Sequence, residues 1–124
     1  MTESNVELPD MRAEVVSAVR ALSDREYQQR VWVGRIYPHP GFFDDFTLNV
    51  NILGDAGVWD SPRDAIGYTL ASETEAAAMG SLVAHLEKVI EDVGSESPDS
   101  DFLASPLWQE VVEAARNALE LLTR

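Results

Sequence analysis

The chain has no cysteine among its 124 residues. Disulfides, thiolate zinc sites and cysteine nucleophiles are therefore excluded. Histidine occurs twice, at positions 39 and 85, which leaves little material for imidazole catalysis or a histidine-rich metal site. Lys88 is the single lysine. No run approaches the ~18 apolar residues of a membrane span. The first residues, Met1 to Glu7, lack the basic start and apolar stretch of a secretory signal. Gly54-Asp55-Ala56-Gly57 has turn chemistry but not the pattern of a phosphate-cradling loop, and no serine stands in a nucleophile elbow. These absences predict a cytoplasmic protein with no cofactor, no metal and no membrane partner.

What the chain has is acid. Twenty-two Asp and Glu face nine Lys and Arg, for a net charge of −13. Residues 1–35 are nearly balanced, six acids against five arginines, while the remainder holds sixteen acids against four bases. Such a field repels nucleic acid and attracts basic partners. Apolar residues make up 45% of the chain, enough for a folded core. The length predicts a single globular domain over 1–124, with residues 1–8 as a flexible acidic tail.

Helical periodicity is plain in three stretches. Pro9-Asp10 opens the first, with Met11, Val15, Ala18, Val19 and Leu22 on one face. Ser72-Glu73-Thr74-Glu75 is a capping box before a long stripe from Met79 to Val93, and Gly94 ends it. Ser105-Pro106 begins the last, with Trp108, Val111, Val112, Ala115, Leu119 and Leu122 inward. Ser23 to Glu26 is a further capping pattern, and residues 95–101 read as a polar acidic loop.

The middle of the chain is ambiguous. Phe46, Leu48, Val50 and Ile52 alternate with polar residues at the period of a strand, but Phe46, Val50 and Leu53 also fit a helix face. The β-branched residues and two asparagines favour the strand. Residues 30–37 supply a partner strand, and the proline-rich segment 37–45 supplies the connecting loop. The reading is therefore an α+β domain, mostly helical, with four or five helices covering a short β-hairpin around residues 30–53. An all-α bundle is the alternative.

Candidate chemistry gathers in the same region. His39 lies between two prolines and is followed by Asp44 and Asp45, so one reading is an enzyme or hard-metal site built on these three. No nucleophile or anion hole accompanies them. Phe42, Phe43 and Trp59, with Asp44, Asp45 and Asp60 nearby in sequence, fit an aromatic anchor with an acidic rim, the composition of a protein-binding hot spot. His85, among Leu82, Val83 and Leu86, reads as a boundary residue with its ring half in water.

Three strings carry a resemblance: Glu26-Tyr27-Gln28-Gln29-Arg30-Val31-Trp32-Val33, Tyr37-Pro38-His39-Pro40-Gly41-Phe42-Phe43-Asp44-Asp45, and Leu103-Ala104-Ser105-Pro106 with Trp108. Together they resemble a family of small acidic actinobacterial proteins without an assigned function. The resemblance carries over no catalytic or binding residue. In size and acidity the chain is also similar to the immunity proteins of bacterial toxin systems, which implies an inhibitor of a basic partner such as a nuclease toxin. The leading expectation is thus an acidic protein-binding module with a basic protein partner. A site on His39, Asp44 and Asp45, or a structural, oligomer-forming role, are the alternatives.

Overall fold

The computed structural model describes residues 6–124, so most of the expected acidic tail, residues 1–5, lies outside the described residues. The part that is described is tied down: the Glu7 and Leu8 N–H groups donate to the Gly67 and Tyr68 carbonyls at 2.8 and 2.9 Å.

Pro9 opens helix α1 (Pro9–Leu22), which buries Val15, Ala18, Val19 and Leu22 as its spacing predicts. Asp24 caps the next turn, its carboxylate accepting the Tyr27 N–H at 3.1 Å. That turn, α2 (Arg25–Tyr27), runs straight into a π-helix over Gln28–Val33. Its wider spacing is visible where the Gly34 N–H donates to the Gln29 carbonyl, five residues back, at 2.8 Å. The segment turns Gln28, Val31 and Trp32 inward. It closes on Arg35, a non-glycine residue at φ +56°.

α3 (Phe46–Asp55) follows the proline segment, and α4 (Glu73–Val93) follows a 3₁₀ turn at Pro62–Ala65. Ser72 caps α4 by accepting the Glu75 N–H at 3.2 Å, and Gly94 ends it at φ +104°. A short α5 (Asp99–Ala104) begins within what the sequence reads as an acidic loop and runs three residues past it, and α6 (Trp108–Leu122) follows. α6 packs against both α4 and α1, and α1 packs also against α3.

The fold is all-α, which corrects the expected α+β class. No strand or sheet occurs among the described residues, and the β-type pairing there is one isolated bridge, Ile66 to Leu70. Neither arm of the expected hairpin is extended. In residues 30–37, Val31 and Trp32 are both buried, and adjacent inward residues are incompatible with strand alternation. In residues 46–53, Phe46, Asn49 and Leu53 are buried while Leu48 is exposed, which is a helical face. The period-two pattern misleads because the inward position at 49 is polar. What decides the helix is Asp45, whose side chain accepts the Leu48 N–H at 2.8 Å.

Two features hold the bundle end to end. Trp108 is fully buried, with Trp32 and Phe46 edge-on to it at 6.2 and 5.6 Å, and Phe46 stacks on Phe102 at 4.4 Å. The Trp108 indole N–H donates to Gln28 Oε1 at 2.9 Å, and Gln28 Nε2 donates to the Ala21 carbonyl at 2.8 Å, so the buried amide is satisfied. At the other end Arg12 grips Glu75 with two bonds of 2.8 Å and also donates to the Thr69 and Leu122 carbonyls. Among the described residues no helix is long and apolar enough to cross a membrane.

Candidate functional site

The unusual features of the chain converge on Asp44. Asp45, as N-cap of α3, turns the chain so that the preceding residue points inward, and Asp44 is only 8% exposed. Its carboxylate accepts three hydrogen bonds. The Tyr27 hydroxyl and the Trp32 indole N–H both donate to Oδ2, at 2.7 and 2.9 Å, and Asn49 Nδ2 donates to Oδ1 at 2.8 Å. All three donors are neutral. Among the described residues no Lys, Arg or His nitrogen lies within 4.0 Å of it. Buried carboxylates are ordinarily paired with a cation or a metal.

The start of α3 supplies part of the missing charge balance, since helix N-termini carry roughly half a positive charge. That charge is shared. Asp45 caps the helix, and Asp99 Oδ2 accepts the Phe46 N–H at 3.0 Å. Burial raises the Asp99 carboxyl above its ordinary range. The Phe46 N–H opposes this, the charges of Asp45 and Asp44 reinforce it, and Arg35 again opposes it. The Tyr27 hydroxyl is likewise raised, first by burial and then by its bond to Asp44, so it stays a donor.

Two cavities meet at Asp44. One of about 320 Å³ is walled by Arg20, Asp24, Tyr27, Phe42, Phe43, Leu48 and Asn49 as well as Asp44. The other, about 330 Å³, is more polar and includes Trp32, Arg35, Tyr37, Asp45 and Asp99. Phe43 belongs to both and is itself 57% exposed. Tyr37 lies 6.1 Å from it, and Ile36, the residue before, is 63% exposed. Leu48 in the first cavity and Val33 in the second are exposed as well, so each cavity carries exposed apolar side chains beside Phe43.

The residues singled out from sequence are only partly brought together. Phe42, Phe43, Asp44 and Asp45 belong to this site. His39 is exposed, with Nδ1 3.0 Å from the Pro40 carbonyl oxygen and its ring edge-on to Phe42 at 5.6 Å. It makes no hydrogen bond with either aspartate, so the expected His39–Asp44–Asp45 constellation does not form. Trp59 and Asp60 line neither cavity. Trp59 stands over α4, beside Ala84, Lys88 and Ile90. His85 is half-buried, with Nδ1 3.4 Å from Glu110 on α6. No group of three or more His, Asp or Glu among the described residues is arranged to hold a metal ion.

Sequence reasoning missed Tyr27, Trp32 and Asn49, the three donors. They lie 17, 12 and 5 residues from Asp44. The legible signal was Asn49 on the apolar side of α3, a buried amide in need of a partner.

The chain belongs to a family defined by a domain of unknown function (DUF7945), whose model matches residues 6–124. No curated protein and no solved structure matches it.

Proposed function

We propose that this chain is a protein-binding module that docks a basic partner on the face around Asp44. The observation that carries the reading is a juxtaposition: the exposed apolar side chains of Phe43 and Leu48 in one cavity, and of Phe43 and Val33 in the other, share those cavities with a buried carboxylate that has no cation of its own. Large exposed apolar side chains that cluster mark interaction surfaces, and aromatic anchors dominate their binding energy. A chain of net charge −13 accelerates encounter with a cationic partner. An inhibitor of immunity type, neutralising a basic toxin, is a function of this kind.

The reading is tested by affinity capture from the host lysate with the full chain and with Phe43→Ala. The expected result is a basic protein retained by the parent chain at low salt, released as salt rises, and lost with Phe43→Ala. Identical protein profiles for the two chains would overturn it.

A further inference from the structure

The three donors on Asp44 restrict which cation the site accepts. A carboxylate has about four lone-pair positions, two on each oxygen. Oδ2 already accepts both the Tyr27 hydroxyl and the Trp32 indole N–H, while Oδ1 accepts only Asn49. A guanidinium binds a carboxylate best as a fork, with one N–H on each oxygen. Oδ2 has no capacity left for that. An ammonium is a point charge and needs one acceptor. The 320 Å³ cavity complements such a group. Phe42 and Phe43 offer aromatic surface to an alkyl stem, and Arg20 and Asp24, exposed and opposite in charge, offset each other on its walls. Arg30 already lies 5.9 Å over the Tyr27 ring, so the cation–π contact falls to the phenylalanines.

Resting on the docking reading, we infer that this cavity is a receptor for a single lysine side chain of the partner, with Asp44 Oδ1 accepting from its ammonium and Phe43 covering its stem. Arginine is discriminated against because its second arm meets an oxygen already saturated by Tyr27 and Trp32. The Tyr27 hydroxyl is a specificity determinant: without it, Oδ2 regains one acceptor position.

The probes are capped tripeptides Gly-Lys-Gly, Gly-Arg-Gly and Gly-Nε-acetyl-Lys-Gly, titrated into the full chain to their solubility limit. The readout is the Trp32 indole N–H resonance, which reports on Asp44 directly. The lysine peptide shifts that resonance saturably and binds about tenfold tighter than the arginine peptide, the worth of one charge-assisted hydrogen bond. The acetylated peptide does not shift it, and Phe43→Ala, a change at an exposed residue, weakens the lysine response. Tyr27→Phe narrows the lysine preference by improving arginine binding, which no purely structural role of the hydroxyl would do. Equal responses to the three peptides, no saturable response to lysine, or an unchanged preference in Tyr27→Phe would overturn the inference. If lysine fails while affinity capture still depends on Phe43, the docking reading stands and only the lysine receptor falls.

Discussion

Replacing Asp44 with alanine tests whether this carboxylate organises the site. The change strands three donors unequally. The Trp32 indole N–H is in a residue only 4% exposed and has no other acceptor, so it bears the full cost of an unsatisfied buried donor, about 2 kcal/mol. Asn49 Nδ2 keeps its bond to the Asp45 carbonyl at 2.8 Å, and the Tyr27 hydroxyl is half-buried and reaches water, so each loses about 1 kcal/mol or less. Relief of the buried charge works in the other direction. The net expectation is a destabilisation of about 3 kcal/mol, a large part of a typical domain's 5–15. Urea unfolding measures it as a lower midpoint at unchanged slope. A double-mutant cycle with Trp32→Phe isolates the indole bond, and Asp44→Ala should cost about 1–2 kcal/mol less in that background. A loss below about 1 kcal/mol, or strict additivity with Trp32→Phe, would refute the reasoning.

Glu75 and Asp99 give opposite pH dependences. Burial pushes the Glu75 carboxyl up, but the bonds from Arg12 and the Ala71 N–H, with the Arg12 charge, outweigh it and hold the group below its ordinary range. Its contribution is therefore present above the unfolded-state pKa and lost as pH falls through the folded one, so Glu75→Gln should cost about 3 kcal/mol at neutral pH and less in acid, as read by urea midpoints against pH. Asp99 is raised instead, so the native state binds its proton more tightly; Asp99→Asn, which keeps an acceptor for the Phe46 N–H, should stabilise at neutral pH, with the gain vanishing below both pKa values. A Cβ at Gly34 would lie 2.8 Å from the Arg30 carbonyl oxygen, so Gly34→Ala should lose about 2 kcal/mol in thermal or urea unfolding. At the neighbouring position, Arg35→Gly should gain about 1 kcal/mol, because it relieves a left-handed backbone. Phe43→Ala should change stability by less than about 0.5 kcal/mol in the same assay while weakening capture of the partner.

The helices with long apolar stripes were legible from sequence because their inward residues are apolar, Glu75 in the first turn of α4 apart. α1, α4 and α6 bury Val15, Val19, Leu82, Leu86, Val111 and Val112 at the expected spacing. The centre was not, for two physical reasons. Asn49 occupies an inward position of α3, so the apolar residues that remain mimic a strand. The π-helix of residues 28–33 has a period that matches neither template, and its inward Gln28 again breaks the stripe. In both places a polar residue is buried because a partner that periodicity does not reveal satisfies it: Trp108, 80 residues away, for Gln28, and Asp44, just ahead of the helix, for Asn49. The same polar burial hid half the site. Phe42, Phe43, Asp44 and Asp45 were visible as a motif, whereas Tyr27 and Trp32 lie 17 and 12 residues from Asp44, and Trp32 reaches it from the π-helix. Asp44 and Asp45, read from sequence as part of an acidic rim, are a buried acceptor and a helix cap, so charge reversal at either would test folding before it tested recognition.

The docking face is tested most directly by placing a photo-crosslinking phenylalanine analogue at position 43, and in a separate chain at position 59, and irradiating each in the living host. A basic protein joined through position 43, in a yield that falls with added salt and is not matched from position 59, is the predicted result. Equal adducts from both positions, or adducts from position 59 alone, would contradict it.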